Sequence, residues 1–143
     1  MSTRRLRAVA SGALAAVLWG VAEPLDQRLL RYDYSDVAVL GKAVTRGPGW
    51  RATGFALHAA NGAVFGVVFD ELRDRVPIGP RRLAVAMALA EHATLYPLCW
   101  FIDRHHPARG EHGVPPLLTS PRAFAQATWR HLVFGTVLGR LAA

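Results

Sequence analysis

Two histidines stand 73 residues apart in matching surroundings. His58 heads a series with Gly62 and Gly66, and His131 heads one with Gly135 and Gly139, while Gly54 and Ala127 extend both series back by one step. Residues four apart share a helical face, so each stretch presents a small-residue stripe with one imidazole set into it. An imidazole carries both a donor and an acceptor, and three roles suit such a pair. The two rings can ligate a haem iron from two parallel helices, the glycines giving the macrocycle room. They can instead join Glu91, His92 and Glu23 in a transition-metal or proton site. Or each can hydrogen-bond across a helix seam to a backbone carbonyl, to Asn61 or Thr128, or to the other ring.

Glu91 and His92 fall near the middle of a long apolar run, and Arg130 lies at a comparable place in the next one. A centred charge costs roughly 2.5 to 3.5 kcal/mol on insertion scales, so opposite charges at equal depth are expected to pair. A Glu91 to Arg130 ion pair inside the bundle is therefore the structural expectation. At the repeat offset these positions correspond to Leu18, Trp19 and Leu57, so the second half carries the heavier polar load.

The elements that must hold these residues are apolar and long. Of 143 residues, 52% are hydrophobic, concentrated in runs at about 8–25, 52–69, 83–102 and 123–140. A hydrocarbon core about 30 Å thick needs about 20 helical residues, and each run approaches or meets that length. The expected fold is all-α: a single membrane-embedded domain over residues 1–143, a four-helix bundle of two tandem hairpins. The halves 1–70 and 74–143 superpose without a gap, Pro24 on Pro97 and Pro48 on Pro121 among other pairs, which implies pseudo-twofold symmetry. Gly54, Gly62, Gly66, Ala127, Gly135 and Gly139 are expected to let helix backbones approach closely. Pro24 and Pro97 can each kink a helix.

The connections are punctuated by Gly47-Pro48-Gly49, Gly79-Pro80 and Pro115-Pro116. Ser35 to Val44 is long enough for a short helix near the membrane interface. Ser120 before Pro121 is a good N-cap and first-turn pair. The stretch from Asp103 to His106 with Glu111 and His112 has metal-ligand residue types at irregular spacing, which reads as a solvated polar loop.

A net charge of +7 raises the question of nucleic acid, but the arginines bracket the apolar runs as headgroup anchors do. Nucleic acid is not an expected partner. The single Cys99 excludes an internal disulfide. Arg4, Arg5 and Arg7 before the first run also suit a secretory signal, but Leu14 to Leu25 of that run map onto 87–98, which no signal occupies. Positive charge divides evenly between the two sides, and the N-terminal arginines favour both termini in the cytoplasm. No phosphate-binding glycine loop and no nucleophile elbow is present, so no catalytic residue is assigned.

The motifs His58-Ala-Ala-Asn-Gly62 through Gly66 and His131-Leu-Val-Phe-Gly135 through Gly139, in four runs of this size, resemble those of the small bacterial inner-membrane proteins related to YagU. That resemblance implies a multi-pass location in the bacterial inner membrane and transfers no site residue. The expected role is that of a small membrane interaction or assembly protein. Its partners would be the lipid bilayer and a second copy or another membrane protein, and it would need no cofactor. The alternative is a bis-His haem protein or a transition-metal or proton site.

Overall fold

The structure, a computed structural model, describes residues 2–142 and is all-helical, with no strand among them. Helix α1 (Thr3–Leu30) is followed by the short α2 (Asp36–Val44) and then α3 (Trp50–Leu72). Helix α4 (Pro80–Leu95) passes through a 3₁₀ turn (Tyr96–Leu98) into α5 (Cys99–His105), and α6 (Pro121–Leu141) follows a long loop.

Capping sets the starts of the helices. Ser2, Ser35 and Ser120 accept from Arg5 N, Ala38 N and Ala123 N, the last with Pro121 in the first turn. The two prolines at the repeat offset behave differently. Pro97 sits within the 3₁₀ turn that separates α4 from α5, whereas Pro24 lies inside an unbroken α1.

Helix α1 shows how the bundle is sorted. Its buried positions are Ala8, Ser11, Gly12, Ala15, Ala16, Trp19, Gly20, Glu23 and Asp26, a stripe of small residues that ends in carboxylates. Its outward positions include Leu6, Leu14, Leu18, Val21, Leu25 and Leu29. The large apolar side chains thus face out, and the small and polar ones face in. The spacing of both sets at three and four residues makes this one sorted helix.

The stripe allows α1 to lie against α3 at backbone contact. A Cβ added to Gly62 would come 2.3 Å from the Gly12 carbonyl oxygen, and one on Gly66 would come 2.2 Å from that of Ala8. The rising and falling numbers make the pair antiparallel. Helices α4 and α6 pair in the same sense, with Gly135 against Ala84 and Val85 and Gly139 against Arg81. Trp19, Phe65, Phe69, Leu83, Phe134 and Leu138 fill the core between the pairs. One end of the bundle is tied by ion pairs from Arg4 to Asp70 (2.9 Å) and from Arg5 to Glu71 (2.8 Å). There Arg7 and Arg73 also donate to the last carbonyls, of Leu141 and Ala142.

Among the described residues three helices are long and apolar enough to cross a membrane: α1, α3 and the stretch Pro80–His105. The fourth expected span is a helix of 21 residues, α6, that does not reach that apolarity, because Gln126, Arg130 and His131 interrupt it.

Two connections depart from expectation. After Arg31 closes α1 in the left-handed region (φ 50°), the chain turns back, and α2 packs antiparallel to the start of α3, with Gly41 at Trp50 and Val37 at Gly54. The expected short helix is α2, and with Val37, Ala38, Gly41 and Lys42 buried it is packed into the bundle against α3. Of the stretch expected to be solvated, Arg104, His105 and His112 are exposed, but His106 and parts of the loop 106–120 around it pack inward. His106, Ala108, Val114 and Leu117 are buried. The His106 ring holds the Val39 carbonyl at 2.8 Å through Nε2 and accepts from Ala108 N at 3.1 Å through Nδ1. Gly113 (φ 83°) accepts from Ser35 N, and a Cβ there would meet that of Ala38 at 2.6 Å, so glycine is required on both counts.

Candidate functional site

The interior polar residues form two neighbouring groups separated by Trp19. The first centres on Arg130, the largest fully buried side chain. Its Nε and Nη2 donate to Asp26 at 2.7 and 2.6 Å, a fork onto one carboxylate. Nη1 donates to Asp36 at 2.7 Å, Nη2 also to the Tyr34 carbonyl at 2.8 Å, and Glu23 lies 3.6 Å away. The guanidinium stacks 4.8 Å over the Tyr34 ring.

Each carboxylate has further work. Glu23 accepts from Ser35 Oγ (2.5 Å), Asp36 N (2.7 Å) and Val37 N (3.3 Å), which places its charge at the N-terminus of α2. Asp26 accepts from Gln126 Nε2 (2.8 Å). Asp36 accepts from Trp19 Nε1 (3.1 Å) and from the Tyr34 hydroxyl. Burial pushes Tyr34 well above the ordinary phenol range, helped by the adjacent Asp36, so the hydroxyl stays a donor. Burial works to raise Asp36, but Arg130 and His58 outweigh it and hold the carboxyl below its usual value. The group is a buried ionic clamp that fastens residues 32–36 between α1 and α6.

The expected Glu91 to Arg130 pair does not form. Arg130 is spent on Asp26 and Asp36, and the ionic neighbour of Glu91 is His131, with Nε2 3.8 Å away. The depth was matched but the face was not. Adjacent helical residues point about 100° apart, so when His131 turns to α4, Arg130 turns to α1. Sequence reasoning missed Asp26 and Asp36 as its partners. Asp26 was within reach of it, being one turn beyond Glu23 on the same stripe as Gly12 and Trp19. Asp36 was not, since nothing local says that the chain folds back.

The second group holds the histidines. Trp19 meets His58 and His131 edge-on, with ring centroids at 4.9 and 4.7 Å. The indole packs against both rings, so a porphyrin ligated by both would have to displace it. His131 Nδ1 bonds the Ala127 carbonyl at 2.7 Å, one turn back on its own helix. His92 meets Thr128 at 2.9 Å and lies against His131 at 4.9 Å. Glu23 is on the far side, in the clamp, so the Glu91, His92 and Glu23 set is not brought together. Among the described residues no three His, Cys, Asp or Glu side chains are grouped so as to hold a metal ion.

Beside Trp19 lies a cavity of about 220 Å³, lined by His58, Asn61, Glu91 and His131 with Asp36 and apolar residues. The Nε2 of His58 is buried and has no hydrogen-bond partner among the described residues. Of the expected packing positions, Gly54 meets α2, Gly62 and Gly66 meet α1, Gly135 and Gly139 meet α4, and Ala127 lies in a core with Tyr34, Cys99 and Leu117.

Comparison with known protein families, characterised proteins and solved structures gave no match.

Proposed function

We propose that this chain is a multi-pass membrane protein whose four long helices cross the bilayer as two tandem hairpins, and that it works as a small membrane-embedded interaction or assembly protein. The observation that carries the reading is the inverted sorting of side chains. Leu14, Leu18, Val21, Leu25, Val64, Val68, Leu98, Phe101, Phe124 and Trp129 are exposed, while Arg130, Asp26, Glu23 and Gln126 are buried. Water would reverse that arrangement, and hydrocarbon favours it. Helix α6 fits as a fourth span because its buried Gln126 and Arg130 find partners inside and its outer face offers Phe124 and Trp129.

Pseudo-twofold symmetry is supported by the register of the glycine contacts. Gly66 meets Ala8 and Gly139 meets Arg81; Gly62 meets Gly12 and Gly135 meets Val85. Both members of each contact are displaced by the same 73 residues. A bacterial inner-membrane location is supported by the resemblance to the YagU-related proteins, and cytoplasmic termini by the N-terminal arginines Arg4, Arg5 and Arg7.

Two measurements test this. The chain should resist alkaline carbonate extraction and require detergent for solution; recovery in the soluble fraction overturns the membrane reading. A photo-crosslinking residue at Trp129 on the outer face of α6 should capture a second copy or another membrane protein; adducts to lipid alone overturn the assembly role.

A further inference from the structure

The cavity beside Trp19 shares Tyr34 and Asp36 with the ionic clamp and Gly62 with the α1–α3 seam, but its lining residues His58, His131 and Glu91 serve neither. Its volume of about 220 Å³ exceeds the roughly 30 Å³ that one liquid water occupies several-fold, so it is a chamber and not a packing defect. Its polar groups are unusual in being unspent. His58 is 6% exposed, and its Nε2 has no hydrogen-bond partner. His131 uses Nδ1 on the Ala127 carbonyl, which leaves Nε2 as the free acceptor of the neutral ring. That nitrogen stands 3.8 Å from Glu91, too far for a hydrogen bond and with a second acceptor on the other side. Asn61 lines the same wall.

Glu91 and the Nε2 of His131 therefore face each other as two acceptors without a donor shared between them. The charge of the surroundings points the same way. Around the chamber and the adjoining clamp stand four carboxylates, Glu23, Asp26, Asp36 and Glu91, with one guanidinium, Arg130. Buried charges are compensated by paired opposite charges, so this interior favours a guest that brings positive charge. The remaining lining, Leu95, Ile102 and Phe134 among it, is apolar, and Trp19 adds an aromatic wall. The chamber adjoins α3 and α4 at Asn61, which is exposed, and at Glu91, which is partly so; this gives a way in.

We propose that this chamber binds a small primary alkylammonium ion, whose three N–H donors would satisfy Glu91 and the Nε2 atoms of His131 and His58 while its alkyl chain lies against the apolar wall. A guest with charge but no N–H, or with the chain but no charge, lacks half of that match. The inference rests on the interior of the bundle and is independent of whether its outside meets lipid.

The test uses the full-length chain purified in detergent, with n-butylammonium, n-butanol and tetramethylammonium as probes in calorimetric titrations and thermal-unfolding scans. Butylammonium should bind saturably and raise the unfolding midpoint; the other two should do neither at equal concentration. Glu91→Gln, which keeps the shape and removes the charge, should weaken butylammonium binding by about tenfold or more, as loss of a charged hydrogen bond does. In the unsubstituted chain, nuclear Overhauser contacts from butyl protons to the indole of Trp19 should appear. Absence of saturable binding, equal response to tetramethylammonium, contacts elsewhere than Trp19, or unchanged affinity in a folded Glu91→Gln protein would each overturn the proposal.

Discussion

Arg130 grips Asp26 across the seam between α1 and α6 through two hydrogen bonds of 2.7 and 2.6 Å, and both side chains are almost wholly withdrawn from solvent. A fork of this kind fixes register as well as distance, and here it also reaches Asp36 and the Tyr34 carbonyl. Removing one partner strands the others. Arg130→Leu should destabilise the fold by about 3 to 5 kcal/mol, the cost of an uncompensated buried charge. Asp26→Asn, which keeps shape and one acceptor, should cost less. Thermal or chemical unfolding in detergent ranks the two; equal midpoints for Arg130→Leu and the unsubstituted chain would remove the clamp from the account.

The sequence made some parts of this arrangement legible and hid others, for definite reasons. The His58 and His131 stripes were readable because four-residue spacing is a local property of one helix, and the glycines record how closely the next backbone passes. The partner of Arg130 was hidden because depth can be read from position along a run, whereas the direction around the helix depends on which neighbour it faces. Asp36 was hidden for a different reason. Its place beside Trp19 follows from the reversal at Arg31 and the burial of α2, a choice made by tertiary packing of Val37 and Gly41 on α3. The loop 106–120 looked solvated by composition, yet the polar residues His106 and Asp103 bind backbone groups and so allow it to pack.

The helix seams make a graded prediction. A methyl at Gly12 would lie 2.0 Å from the Gly62 carbonyl oxygen, and one at Gly66 would lie 2.2 Å from that of Ala8, both backbone atoms that cannot swing aside. At Gly139 the nearest approach is 3.0 Å, and at Gly49 nothing lies within 4 Å. Alanine at Gly12 or Gly66 should therefore cost about 1 to 3 kcal/mol or more as the helices are pushed apart, Gly139→Ala less, and Gly49→Ala close to nothing. Unfolding midpoints measured on the four variants should fall in that order, and a flat series would show that the seams are looser than drawn.

Cys99 offers a direct probe of the α2 end of the bundle, since it is the only cysteine and is buried with Tyr34, Leu117, Ala123 and Ala127. A thiol in that position reacts only when the cluster opens, so its rate measures local stability. Maleimide labelling of the folded chain should run at least about 100-fold slower than after denaturation, an opening cost of about 2.7 kcal/mol. Because Tyr34 is held by Arg130, the Arg130→Leu substitution should speed the reaction. Fast labelling of the unsubstituted protein would contradict the packed cluster.

Acid should release the loop 106–120 through Glu111. The carboxylate bonds Arg46 and lies 3.4 Å from Lys42, whose ammonium also donates to the His112 carbonyl at 2.8 Å. The hydrogen bond from Arg46, with Lys42 behind it, holds Glu111 below the ordinary glutamate value. A depressed carboxyl binds fewer protons folded than unfolded, so its contribution is present in full above the ordinary value of about 4.3 and is lost as the pH falls through the lower folded one. Hydrogen exchange at Ala108 and Val114, whose amides bond within the loop, should accelerate across that acidic interval. Glu111→Gln should already exchange faster at neutral pH and show a weaker acid response over the same range. Because the group is solvent-exposed, added salt should mimic part of the effect, and loop exchange indifferent to both salt and the substitution would show that the docking rests on Val114, Leu117 and His106 alone.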